Sequence, residues 1–329
     1  MNISDLVAGL RASRLTLSQK NGIRVDRMPA ASGHTSVVIK TMTEPGDAVA
    51  VERFRREAII LDLLAHPNIV RLLRYHDRPP RSMELEYIPG EDLRCLVDSD
   101  GTQSLAFVCD LVEDIGAALD ASHSHGIIHR DVCPDNILVP RHGKARLIDF
   151  GFARIEGEPS VTLQGERLPD HAFIAPEQLR SISAADSRSD VYSLAAVAYF
   201  ALTGIAPERT GDVAKVLMAT SPDQLRPELT AVIARGLAAD PTNRYSSAGQ
   251  MAADMRAASV LNERRRSAAS AGRATRSAAV VPLVILGMLS AVSRPVHVVL
   301  RRVGLATIVH HALTLVHPGA KAQGQTAVR

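Results

Sequence analysis

Two short segments carry residues suited to phosphate and metal-ion chemistry. The first runs Ile128-His129-Arg130-Asp131-Val132-Cys133-Pro134-Asp135-Asn136-Ile137-Leu138-Val139 and the second Leu147-Ile148-Asp149-Phe150-Gly151. Each sets charged and turn-forming residues beside an apolar run, the pattern of a loop between strands that presents carboxylates and an amide. Magnesium takes oxygen ligands, commonly one or two carboxylates completed by substrate phosphates, so Asn136 and Asp149 are candidate Mg²⁺ ligands. Asp131 is left as a candidate base for a hydroxyl.

Other stretches must position these groups. Residues 14–40 read as a meander of three strands: Arg14-Leu15-Thr16-Leu17-Ser18 alternates, Asn21-Gly22 is a two-residue hairpin signal, and Ser36-Val37-Val38-Ile39-Lys40 is β-branched. Ala48 to Ala65 has helical periodicity with its charges on one side. That helix offers Glu57 in its middle, with Leu61 one turn later, whereas Glu52 sits near its start. A second apolar-periodic helix, Ser104 to Ser124, ends before Gly126, a suitable C-terminal cap, and leads directly into the first segment.

The first segment resembles the catalytic loop H-R-D-x-x-x-x-N of protein kinases, and Asp149-Phe150-Gly151 resembles their D-F-G. Val37-Val38-Ile39-Lys40 is similar to V-A-I-K, His66-Pro67-Asn68-Ile69-Val70 to the turn after the first helix, and Ala175-Pro176-Glu177 to A-P-E. With Ser189 to Leu194 and Leu237 to Tyr245, these motifs run in family order over residues 14–262, and the chain looks like a bacterial, eukaryotic-like serine/threonine protein kinase. The resemblance implies an α+β, two-lobed fold: a small β-rich lobe with one helix over about residues 14–88 and a helical lobe over 89–262. It further implies ATP and Mg²⁺ as cofactors. Lys40 would grip the phosphates and Glu57 orient Lys40. Asp131 would receive the acceptor hydroxyl, supported by Arg130, while Asn136 and Asp149 hold Mg²⁺. Backbone at Glu86 and Ile88 would bond adenine, with Leu85 as gatekeeper, Asp92 would reach ribose, and Gly22 would lie in the phosphate-covering loop. Asp190 would bond the catalytic-loop backbone, Arg244 would partner Glu177, and His129 would pack beneath Phe150 with Leu61.

The chain also departs from the family pattern. Only Gly22 stands in a glycine position of the phosphate loop, Cys133 replaces the lysine usual two residues after the catalytic aspartate, and Asp170 replaces a threonine before A-P-E. These departures motivate an alternative reading, a pseudokinase scaffold that binds nucleotide. A small-molecule phosphotransferase is a further alternative, and Glu177 and Arg244 argue against it. Ser160 and Thr162 are candidate phosphosites, since a phosphate there can pair with Arg130.

Composition separates the last segment from the rest. The net charge of +3 divides into 28 Lys+Arg against 34 Asp+Glu up to Asn262, then Glu263, and 10 basic residues with no acid from Arg264 onward. Residues 263–329 are therefore expected to form a basic linker and apolar tail. Its uncharged runs, Ser277 to Ser293 and Val303 to Ala320, are short for a membrane span but suit an anionic membrane surface. The tail holds no aromatic residue for base stacking, so nucleic acid is not an expected partner. Cys95, Cys109 and Cys133 lack paired or metal-type spacing, and Met1 to Leu15 lacks a long apolar run. The expected location is cytoplasmic, with residues 277–318 associating with the inner face of the membrane; the substrates would be proteins.

Overall fold

A computed structural model describes residues 14–20, 22–29, 36–44, 48–158, 172–207, 217, 227–262 and 264. Its first lobe is built on β1 (Leu15–Lys20) and β2 (Ile23–Pro29), which pair antiparallel so that Lys20 faces Ile23. Gly22 makes the turn with φ +71°, a left-handed conformation that costs glycine nothing sterically. β3 (Ser36–Met42), β4 (Leu72–His76) and β5 (Ser82–Glu86) complete a sheet in the order β1-β2-β3-β5-β4. The β-branched run of residues 36–40 thus occupies the central strand, with Lys40 opposite Val25 on one side and Met83 on the other.

Helix α1 (Ala48–Leu63) buries Phe54, Glu57, Ala58, Ile60 and Leu61. Positions 54, 57, 58 and 61 follow the i, i+3, i+4, i+7 spacing of one helix face, so the stripe that packs inward carries a carboxylate in its middle. Glu52, by contrast, pairs with Arg55 at 3.6 Å on the exposed side.

The second lobe is helical: α2 (Leu93–Asp100), α3 (Leu105–Ser124), α4 (Pro176–Arg180), α5 (Ser187–Thr203), α6 (Pro227–Gly236) and α7 (residues 248–262). Ser104 caps α3 by accepting from the Phe107 N–H at 3.3 Å, and Gly126 follows its C-terminus with φ +66°. Every residue of α5 from Ser189 to Thr203 is buried, which makes α5 the axis about which the lobe packs. Short strands carry the catalytic segments across the front of these helices. β7 (Ile127–Ile128) pairs with β10 (Arg154–Ile155), while β6 (Gly90–Asp92), β8 (Ile137–Pro140) and β9 (Arg146–Leu147) form a three-stranded sheet in the order β6-β8-β9. The result is the α+β, two-lobed architecture that the motifs implied.

The chain divides into two units, Met1–Asn262 and Glu263–Arg329. Ser160, Thr162, Asp170 and the tail beyond Arg264, residues 277–318 included, lie outside the described residues. Among the described residues no helix is long and apolar enough to cross a membrane.

Candidate active site

The central strand and the inward stripe of α1 meet at one ion pair. Lys40 Nζ donates to Glu57 Oε1 at 2.7 Å and Oε2 at 2.8 Å, and to Asp149 Oδ1 at 3.2 Å. Burial alone would lower the Lys40 pKa, but the carboxylates of Asp149 and Glu57 outweigh it, and the ammonium is held well above its ordinary range. Burial pushes the Glu57 carboxyl up to about 7, with Lys40 opposing. Asp149 is more open, 44% exposed at its side chain against 3% for Glu57. It sits where a third party can reach it.

Asp149 has φ +60° and Arg130 φ +65°, left-handed values that side-chain-bearing residues adopt only when their surroundings hold them there. The hold on Arg130 comes from α5. Asp190, fully buried, accepts the N–H of His129 at 2.9 Å, the N–H of Arg130 at 2.8 Å and His123 Nε2 at 2.7 Å. Gln178, buried in α4, adds a bond from Nε2 to the Arg130 carbonyl at 3.0 Å. The His129 ring meets Phe150 edge to face at 4.6 Å between centroids, and Leu61 lies in the same core.

That scaffold presents Asp131 beside Asn136. Asn136 Nδ2 donates to both the Asp131 carbonyl and Asp131 Oδ2 at 2.9 Å, and the Ile148 N–H donates to the Asn136 carbonyl at 2.9 Å. Asp131, Asn136 and Asp149 are therefore stitched to one another through adjacent backbone. Lys40, Glu57, Asp131, Asn136 and Asp149 form one site.

No group of three or more His, Cys, Asp or Glu side chains among the described residues is arranged to hold a metal unaided. Magnesium suits the donors nonetheless, because it keeps several ligands for water and phosphate and needs only one or two from protein. The bonds from Lys40 and the Gly151 N–H both fall on Asp149 Oδ1, and Asn136 spends its amide N–H₂ on Asp131, which leaves hard oxygen donors of the right type on both residues.

Several of the candidate residues also carry structural tasks. The Asp92 carboxylate caps α2, accepting from the Cys95 N–H at 2.8 Å, a structural task not assigned to it from sequence. Gly22 belongs to the hairpin turn, and its carbonyl accepts from the N–H of Thr43 at 2.8 Å. Glu86 ends β5 and Ile88 follows it, buried, at the passage between lobes. Arg130 is buried and donates to the carbonyls of Phe152 at 2.7 Å and Ile182 at 3.4 Å. Burial, and then repulsion from Arg154, Arg56 and Arg53, pushes its pKa down to about 10. Cys133 is buried, and burial followed by the Asp131 and Asp135 carboxylates raises its thiol far above the range of a reactive cysteine.

Gln178 is a supporting residue that sequence reading passed over; a glutamine three positions after Ala175, in the first turn of a helix, was the available signal. Glu177 does meet Arg244, in a two-pronged pair of 2.7 and 2.8 Å, with the Ser189 hydroxyl donating to Glu177 at 2.7 Å.

The His123–Asp190 pair gives a pH test. Burial lowers the His123 pKa, but the bond and charge of Asp190 reverse this and the net shift is upward from 6.5. A histidine with a raised folded-state pKa stabilises fully below its unfolded value and loses that contribution as pH rises through the folded one. The stability lost in His123→Gln is therefore expected to be larger at pH 5.5 than at pH 8.5. Urea midpoints of both proteins at the two pH values check it, and a gap that widens with pH contradicts it.

Comparison with known proteins agrees with this geometry. Residues 24–256 match the family described as Protein kinase domain. The chain is 36% identical over 233 residues to serine/threonine-protein kinase PknD of Mycobacterium tuberculosis, covering 67% of this chain and 35% of that protein. It is 37% identical over 221 residues to PknB of Mycolicibacterium smegmatis, covering 62% and 35%, and 34% identical over 231 residues to PknH of Mycobacterium bovis, covering 66% and 38%. The chain thus spans 35–38% of the length of these curated relatives. With the family matched across most of the chain and the lysine, glutamate, aspartates and asparagine of its motifs converging on one site, the chain belongs to the protein kinase family, and the relatives it resembles are bacterial serine/threonine-protein kinases.

Proposed function

We propose that the protein transfers the γ-phosphate of ATP, with Mg²⁺, to serine or threonine hydroxyls of proteins and phosphorylates itself in the same way. The observation that carries this reading is the single ammonium of Lys40 bonded to both Glu57 and Asp149, residues 17 and 109 positions away. A lysine so held is aimed and rigid, as phosphoryl transfer requires, because that reaction depends on positioning and charge neutralisation more than on covalent chemistry. Asp131 accepts or orients the attacking hydroxyl, and Asn136 fixes its carboxylate. Mg²⁺, held by Asn136 and Asp149, would neutralise charge developing on the phosphates. The Glu177–Arg244 pair anchors α4 at the end of the loop where a protein acceptor is expected to dock.

Regulation follows from the same reading. A phosphate on Ser160 or Thr162 would find Arg130 flanked by Arg53, Arg56 and Arg154, cations whose mutual repulsion an anion relieves. The acid-free tail supports placing the kinase at an anionic membrane face, on the cytoplasmic side.

The test is labelling of the full chain with Mg-ATP. Wild type is expected to label itself, and Lys40→Ala and Asp149→Asn to lose at least about 100-fold in rate, since each removes charge stabilisation of the transferring phosphoryl. Equal labelling of all three proteins would remove the assignment. A protein that labels small alcohols or sugars but no polypeptide would move the reading to small-molecule phosphotransfer.

A further inference from the structure

The hinge glutamate proposed to present its carbonyl to adenine is itself clamped from the other lobe. Glu86 Oε1 accepts from Arg146 Nη1 at 3.1 Å and from the Arg71 N–H at 2.9 Å, while the Glu86 N–H donates to the Arg71 carbonyl at 3.0 Å. Arg146 opens β9, three residues before Asp149, and the same Nη1 lies 3.5 Å from the Ile69 carbonyl. Backbone bonds tie these segments together beside it: Val70 N–H to the Leu147 carbonyl at 3.0 Å, and Leu147 N–H to the Asn68 carbonyl at 2.8 Å. One guanidinium therefore touches the hinge, the approach to β4, and the strand that leads to the candidate metal ligand.

We infer that Arg146 is a positioning residue for nucleotide binding. By holding the Glu86 side chain it fixes the peptide plane that would meet adenine. Because Arg146 and Asp149 stand on one short segment, it also sets the distance between the base end and the phosphate end of the cleft. The competing interpretation is an ordinary surface ion pair with no bearing on nucleotide. Against it stand the partial burial of both partners, 27% and 25% exposed, and the additional backbone bond on the same carboxylate oxygen. The Arg74–Glu84 pair, in the same sheet but off the hinge, provides the contrast: 3.8 Å apart, with Arg74 67% exposed. This inference rests on the proposed function, since it presumes that adenine docks at Glu86.

The experiment measures kcat, the KM for ATP, the KM for a protein acceptor and the urea midpoint for full-length wild type, Arg146→Ala, Arg146→Lys, Glu86→Gln, the Arg146→Ala/Glu86→Gln double variant and Arg74→Ala. Arg146→Ala is expected to raise the ATP KM about five-fold, with kcat and the acceptor KM within about two-fold, the pattern of lost ground-state binding to one substrate only. Arg146→Lys should recover part of the loss, keeping the charge without the planar fork. The double variant should bind ATP no worse than the poorer single variant, because the two residues act as one unit. Arg74→Ala should behave as wild type. An unchanged ATP KM in Arg146→Ala overturns the inference, as does an equal rise in Arg74→Ala or a parallel change in both substrates' KM values together with a lower urea midpoint. Absence of transfer in wild type would instead defeat the proposed function, so the two failures are distinguishable.

Discussion

Asp131→Asn is expected to lower kcat for phosphoryl transfer by about 10²–10⁴-fold, the usual contribution of a positioned general base, while the ATP KM stays within about two-fold. The substitution is close to isosteric, so the 3-10 turn Pro134–Asn136 and the bonds around it have no reason to collapse. What changes is chemistry. The carboxylate takes a bond from Asn136 Nδ2 on Oδ2, and as a carboxylate it can accept the proton of a hydroxyl. An amide in its place has one acceptor oxygen, still wanted by Asn136, and an N–H₂ group that cannot take a proton. Lys40 and Asp149 are untouched, so nucleotide binding is preserved. Steady-state kinetics with the urea midpoint as a control measures this directly. A loss below about ten-fold would take Asp131 out of the proton path and leave Asn136 and Asp149 as the functional core.

How much of this was legible in the sequence depends on how local each signal is. The catalytic segments were visible because His129 to Asn136 and Asp149 to Gly151 are contiguous, and their turn-forming residues and flanking β-branched runs fix short strands around them. Glu57 was visible as a mid-helix acid with Leu61 one turn later; that it lies on the inward stripe with Phe54, Ala58 and Leu61, away from the helix's other charges, is what the structure adds. The partner itself, Lys40, came from family resemblance, since nothing in periodicity links a strand residue to a helix residue beyond an intervening loop. The same holds for Glu177 and Arg244, 67 positions apart. Asp92 carries a second, local signal. An aspartate directly before an apolar helical run is an N-cap signal, and the helix claims its carboxylate. Arg130 illustrates the limit of reading charge as exposure: it is an arginine that the fold buries, and bonds to the carbonyls of Phe152 and Ile182 help make that tolerable. His123 has a structural role, and its partner Asp190, 67 positions away beneath the catalytic loop, is not a local signal.

Asp190→Asn is expected to cost about 3–5 kcal/mol of stability, the penalty for breaking a buried charged network by altering one partner. Asp190 accepts from three donors at once, two of them backbone N–H groups of His129 and Arg130 that have been withdrawn from water. An asparagine oxygen can serve some of these, but its N–H₂ group would face a remaining donor, and an unsatisfied buried donor costs about 1–3 kcal/mol by itself. The backbone adds to this. Arg130 is held at φ +65°, a conformation that costs of order 1–3 kcal/mol and persists only where the surroundings impose it. Once the Asp190 bond is weakened, the peptide is free to relax, and Asp131, the next residue, moves with it. Stability and catalysis should therefore fail together. Activity measured where the variant is still folded should drop at least ten-fold, the equivalent of about 1.4 kcal/mol in the barrier. His123→Gln removes only one of the three donors and leaves both backbone bonds, so it should retain most activity. If Asp190→Asn unfolds at the wild-type urea concentration, or loses stability with an unchanged kcat, then α5 does not govern the geometry of the catalytic loop, and the left-handed turn at Arg130 is maintained by Gln178 and the carbonyls around the guanidinium instead.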